Sequence, residues 1–141
     1  MDISLSDVLI IDDNPEFTRS LKLLICEVAQ QYVSSIHCVN NVLDGIRSMR
    51  NNNFEYVFIN TDMPNRDGIM AIHLINMAKP DIVIIASSFH KGIYYQFLVE
   101  NAGANIYIPK DEINSSLLLS IFGDRESIIK KRDLEYREGD I

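Results

Sequence analysis

The chain is short of several things: no tryptophan, four prolines, six glycines and two cysteines in 141 residues. Each shortage excludes something. Cys26 and Cys38 cannot form the dense disulfide framework of a small secreted domain, and both are expected as reduced thiols that act as small apolar fillers. No apolar run approaches the ~20 residues of a bilayer-spanning helix, so no membrane partner is expected. The opening MDISLSDVLIIDD lacks a basic stretch ahead of its apolar residues, which argues against a secretory leader and for a cytoplasmic protein. Thirteen lysines and arginines face 20 acids, a net charge of −7. A phosphate-neutralising surface is therefore not expected, nor a nucleic-acid partner for this domain. His37, His73 and His90 share no metal-ligand spacing and receive no role.

Hydrophobic residues make up 47% of the chain, enough for a core in one domain. Short apolar runs alternate with longer amphipathic segments. VLII (Val8 to Ile11), SIHCV (Ser35 to Val39), YVFI (Tyr56 to Ile59), IVIIASS (Ile82 to Ser88) and NIYIPK (Asn105 to Lys110) read as strands. The first, third and fourth are continuous rather than alternating, as in strands buried on both faces. Between them the 3.6-residue period predicts helices. The first is capped by Asn14 with Pro15 at its first position and carries Phe17, Leu21, Leu24, Ile25 and Val28 on one face. Others are expected over 42–50, over 68–79, from Lys91 to a C-terminal Gly103, and over 112–122. Five strand–helix pairs imply an open, doubly wound, parallel α/β sheet, the flavodoxin-like (βα)5 fold with strand order 2-1-3-4-5 and five helices. The domain is expected over 1–122. The remainder, 123–141, has 11 charged residues among its last 18. It reads as a charged, solvated extension or linker, helical in part, with Ile128, Ile129, Leu134, Tyr136 and the terminal Ile141 as its apolar residues.

In such folds ligands sit at the carboxyl ends of the strands. Strand one ends in Asp12-Asp13, strand three in Asn60 with Asp62 two residues on, strand four in Ser87-Ser88, and strand five in Lys110. Adjacent carboxylates repel and call for a cation, and hard oxygen ligands with room for water suit Mg²⁺. A lysine and a hydroxyl nearby supply donors for an anionic oxygen group such as a phosphoryl. Each residue also has an ordinary explanation. Asp12 and Asp13 favour a helix N-terminus, Lys110 beside Asp111 could be a surface pair, and Ser87 and Ser88 could satisfy backbone groups. Their joint occurrence on one rim raises the site above those readings.

Four segments resemble the response-regulator receiver family (CheY-like) over residues 6 to 122. VLIIDDNP is similar to its first strand and acidic pair, and NTDMPNRDG to its D-x-x-M-P-x-x-D-G phosphorylation loop. PDIVIIASSFH resembles its fourth strand with the Ser/Thr. AGANIYIPKD is similar to the A-G-A-x-G-Y-L-x-K segment common in receivers attached to LuxR-type DNA-binding domains. The resemblance implies that Asp12 and Asp13 hold Mg²⁺ with the backbone carbonyl of Asp62. It implies that Ser88 (Ser87 if the alignment slips by one) and Lys110 contact a phosphoryl group, and that Ser88 and Tyr107 form the switch. It also implies a role in two-component phosphorelay signalling without enzymatic activity, with a histidine kinase or phosphotransfer protein as partner.

Asn60 departs from the pattern, because it falls where the family has its phosphoacceptor aspartate. An amide has no anionic oxygen with which to form an acyl phosphate, and it weakens Mg²⁺ binding. The chain is therefore expected to be a pseudo-receiver, incompetent for phosphorylation as written. Asn60 is either natural or a deliberate aspartate-to-asparagine exchange; the asparagines at 40–41 and 51–53 favour the former. The alternative is a phosphoryl-accepting regulator, with an aspartate natively at 60 or acceptance at Asp62, whose position off the strand disfavours in-line transfer. A flavodoxin-like cofactor enzyme ranks last, since DDNPEF offers no phosphate cradle. Finally, Ile93, Tyr94, Tyr95, Phe97, Leu98 and Val99 exceed one helical face. Tyr94, Tyr95 and Phe97 are thus expected at a protein contact or homodimer surface, which the resemblance places on the fourth helix, fifth strand and fifth helix.

Overall fold

In the computed structural model, which describes residues 5–64 and 67–131, five parallel strands form one sheet in the order β2-β1-β3-β4-β5. The strands are β1 (Ser6–Ile11), β2 (Val33–Val39), β3 (Tyr56–Asn60), β4 (Val83–Ser88) and β5 (Ile106–Pro109). The helices are α1 (Pro15–Val28), α2 (Val42–Asn51), α3 (Asp67–Ala78), α4 (Ile93–Ala102) and α5 (Ser115–Gly123), with a short 3-10 turn at Lys110–Glu112. This is the expected flavodoxin-like architecture.

The continuous apolar strands follow from a sheet covered on both sides. Leu9, Ile11, Val57, Ile59, Ile84, Ala86 and Tyr107 enter one core with residues of α2, α3 and α4. Their neighbours Val8, Ile10, Tyr56, Phe58, Val83, Ile85 and Ile108 enter the other with α1 and α5. A period of two splits each strand between the layers, and a slip of one residue would exchange them. The edge strand β2 is only partly covered. Cys38 on β2 and Cys26 on α1 are exposed, not the apolar fillers expected. Cys38 lies on that open edge, and Cys26 falls off the buried ridge of Leu21 and Ile25.

Helix starts moved where local backbone chemistry overrode the apolar pattern. Asn14 caps α1 as expected, its side chain accepting from the amides of Glu16 and Phe17. α4 begins at Ile93 and not Lys91, because Gly92 has φ 124°, outside the helical region. α5 begins at Ser115 and not Glu112, because Asn114 is extended and accepts from Leu117 N at 2.9 Å. Beyond α5, residues 125–131 are helical. Ile128 and Ile129 pack against the α1/α5 core, and Arg125 Nη2 donates to Asp81 O at 3.2 Å. The start of the charged extension is thus docked on the domain. Its expected apolar residues Leu134, Tyr136 and Ile141 lie outside the described residues, as do 65 and 66 of the loop before α3. Among the described residues no helix is long and apolar enough to cross a membrane.

Candidate functional site at the carboxyl rim of the sheet

Parallel pairing brings the strand ends together. Ile11 aligns with Ile59, Asn60 with Ser87, and Ser88 with Pro109. The residue after each register point is then delivered to the same edge: Asp12 from β1, Asn60 from β3, Ser88 from β4 and Lys110 from β5. All four are buried.

Lys110 Nζ lies 2.9 Å from Asp12 Oδ2, with both side chains almost wholly buried. It sits 4.3 Å from the Phe17 ring centre and 5.4 Å from that of Phe89, so aromatic faces complete its shell. The surface pairing with Asp111 considered from sequence does not form; Asp111 instead pairs with Lys91 at 2.6 Å. A buried lysine and aspartate are tolerable only as a pair, since either charge alone would carry a large desolvation cost.

Asn60 completes this cluster through both ends of its amide. Nδ2 donates to Asp13 Oδ1 at 3.1 Å and to Asp12 Oδ1 at 3.3 Å. Oδ1 accepts from Asp62 N at 2.9 Å, which fixes the orientation of the amide. Asp12 Oδ1 also accepts from Asn14 N at 2.9 Å, tying the acid to the start of α1. The Asp12 charge is therefore met by an ammonium, and the two carboxylates are bridged by the uncharged NH₂ group of Asn60. Gly68 makes the approach of α3 possible. A Cβ there would stand 2.6 Å from Asn60 O and 2.8 Å from Thr61 Cα, both backbone atoms that cannot yield. On the β2 side the rim opens into a cleft of about 630 Å³ lined in part by Asp12, Asp13, Arg19, Lys22 and Asp44.

The hydroxyl side of the rim is a second network. Ser88 Oγ is 2.5 Å from Tyr107 OH and accepts from His90 N at 3.1 Å. Tyr107 OH donates to His90 O at 2.6 Å. Burial pushes the Tyr107 hydroxyl upward, partly offset by its bond to Ser88. Ser87 differs from its neighbour, for its backbone oxygen accepts from Thr61 N at 2.9 Å and joins the two loops. Asp62 does not point at the acidic pair. Its carboxylate accepts from Phe89 N at 3.2 Å and faces His90 Nε2 at 3.1 Å.

His90 was assigned nothing from sequence, yet it touches Asp62, Ser88, Tyr107 and Tyr95. The available signal was positional. Asp62 and His90 each fall two residues past a rim position, on adjacent strands, so their loops meet. Of the three aromatics expected at a contact surface, Tyr94 is 92% exposed and Phe97 69%. Tyr95 turns inward to Thr61 Oγ1, 2.6 Å away.

The response regulator receiver domain family matches residues 8–122, and the chain belongs to it. Its role is therefore that of a receiver domain in two-component signalling. No curated protein matches the chain. Among solved structures it is similar to a LuxR-family two-component response regulator from Aurantimonas sp. SI85-9A1, at 20% identity and TM-score 0.74, with 92% of this chain and 88% of that one covered. It is also similar to a CheY-like receiver protein from Methanospirillum hungatei JF-1, at 22% identity and TM-score 0.70, covering 96% and 99%. The receiver of a DNA-binding response regulator from Colwellia psychrerythraea 34H matches at 22% identity and TM-score 0.74, covering 82% and 94%.

Receiver domains generally bind Mg²⁺ at an acidic site and interact with kinases or phosphotransfer proteins. The residues of this rim, as arranged, fit that ion poorly. Among the described residues no group of three His, Cys, Asp or Glu converges on a common point. Asp12 Oδ1 accepts from Asn60 and Asn14, Asp12 Oδ2 faces Lys110 Nζ, and Asp13 Oδ1 accepts from Asn60. A hard dication needs those oxygens bare.

Proposed function

We propose that this receiver domain does not accept a phosphoryl group at position 60 and signals through protein contacts. Asn60 stands where the family's acceptor aspartate is expected, and the observation that carries the reading is its bonding. Its NH₂ group bridges Asp12 and Asp13 while its oxygen accepts from Asp62 N. An acyl phosphate needs a carboxylate nucleophile, and a neutral carboxamide offers none.

The rest of the assignment follows the same frame. Asp12 and Asp13, with the backbone carbonyl of Asp62, are the remnant of a metal cradle. Mg²⁺ binding is weakened because the ion must displace Asn60 Nδ2 and compete with Lys110. Ser88 and Lys110 stand in the phosphoryl-contact places, and Ser88 with Tyr107 in those of the switch. Tyr94, Tyr95 and Phe97 belong to the contact surface, formed by α4, β5 and α5, for a protein partner or second copy. The receiver unit spans 1–122, 123–141 is an extension, and the protein is cytoplasmic.

The rival reading, acceptance at Asp62, is disfavoured because both carboxylate oxygens are engaged by the β4–α4 loop. Incubation with Mg²⁺ and a small phosphodonor, followed by intact mass, tests the proposal. An unchanged mass is expected; a stoichiometric, base-labile phosphoryl adduct would sink it.

A further inference from the structure

α4 is thinly anchored. Of its ten residues only Val99 is buried, while Ile93, Tyr94, Phe97 and Leu98 stand largely in solvent. Its N-cap is Gly92, which supplies no side-chain cap, so the first turn has no local device that fixes it. A ten-residue helix has little intrinsic stability in water, and tertiary contacts must hold it.

Those contacts form a closed ring of four side chains. Asp62 Oδ1 meets His90 Nε2 at 3.1 Å. The His90 ring stacks on Tyr95, in the first turn of α4, with 4.6 Å between centroids. Tyr95 OH returns to Thr61 Oγ1 at 2.6 Å. Thr61 and Asp62 are chain neighbours, so the circuit closes on the loop that follows Asn60. Asp62 Oδ2 reinforces it by accepting from Phe89 N, and Tyr107 OH holds the His90 carbonyl from below. Asn60 Oδ1 accepts from Asp62 N and so sets the start of the ring.

We infer that Thr61, Asp62, His90 and Tyr95 form a latch that ties the position of α4 to the loop after β3 without any phosphoryl group. His90 takes part in it through Nε2, which faces the Asp62 carboxylate. Whatever draws the Asp62 side chain away, such as a partner's cationic group, frees the first turn of α4 and alters the exposed face of Tyr94 and Phe97. The contacts of the ring do not rest on whether position 60 can be phosphorylated. Only its consequence for signalling rests on the reading of α4 as a contact surface.

Backbone amide exchange on the full chain tests the latch, with Tyr95→Phe and His90→Ala compared with the parent. Tyr95→Phe removes one hydroxyl and keeps the ring, so the fold is retained. Each variant should speed exchange at 96–98, whose amides carry the first helical bonds, by about threefold to tenfold, the worth of one hydrogen bond. Tyr95→Phe should also speed exchange at Asp62 and Phe89 on the far side of the ring, because coupling is reciprocal. The double variant should exceed either single one little, since one break opens a ring. Unchanged exchange at 96–98, or an equal rise in β1 and β3, would overturn the latch. Phosphoryl uptake at position 60 would instead refute the previous section and leave the latch standing.

Discussion

The rim around Asn60 and the outer face of α4 depart from ordinary burial in opposite directions. At the rim, Asp12, Asn60, Ser88 and Lys110 are buried, and each has a named partner. Along α4, an isoleucine, a tyrosine and a phenylalanine stand 85%, 92% and 69% exposed. Buried charge and exposed aromatic surface are both costly for a free monomer, and the informative residues of a fold are often such exceptions. The difference between the two lies in completion. The rim is held together by its own donors, whereas among the described residues nothing covers Tyr94 and Phe97 on the α4 face. The contrast is the one expected under the proposed reading, in which the domain is read by contact at α4 and not phosphorylated at position 60.

That contrast can be broken at several points. Lys110→Met should cost most, about 3–5 kcal/mol, because it strands the Asp12 carboxylate without its cation. The double change with Asp12→Asn should cost clearly less. Urea midpoints of both variants decide this, and equal losses would deny the pair its role. Asn60→Asp comes next: it replaces two N–H donors by a third carboxylate and should cost roughly 1–3 kcal/mol at neutral pH. Added Mg²⁺ should raise the melting temperature of this variant far more than that of the parent.

A similar loss is expected at high pH from the buried hydroxyl of Tyr56. Burial pushes it up to about 12, with the charge of Arg125 offsetting part of the effect. The folded chain then keeps a proton that the unfolded chain releases near pH 10. The contribution is complete below about pH 10 and is lost as pH rises through about 12, a decline of roughly 2 kcal/mol. Denaturation midpoints from pH 9 to 12 should show this slope, and Tyr56→Phe should flatten it. The smallest stability effect belongs to the exposed side: Phe97→Ser should change stability by less than about 0.5 kcal/mol. It should nevertheless weaken any self-association seen by sedimentation. A large stability loss would mean that this face is core.

The layered sheet was legible from the strands because both faces are covered, which turns alternation into unbroken apolar runs such as VLII and YVFI. The rim was legible for the same reason: parallel strands end together, so Asp12, Asn60, Ser88 and Lys110 had to meet. Partnerships were harder to read. Lys110 has Asp111 beside it in sequence yet pairs with Asp12, since only burial makes that bond worth forming. Asp62 follows the strand that ends in Asn60, but its side chain turns to the neighbouring loop. The trace His90 leaves in the sequence is positional, two residues past Ser88; its contacts arise from one loop closing against another, which the apolar period does not encode. The late starts of α4 and α5 came from single residues, Gly92 and Asn114, whose backbone angles outrank the apolar pattern around them.

The most direct test compares the chain with its Asn60→Asp counterpart in Mg²⁺ and a small phosphodonor, followed by intact mass. The parent should keep an unchanged mass and the variant should gain one phosphoryl group. A phosphoryl adduct on the parent, at Asp62 or elsewhere on the rim, would contradict it.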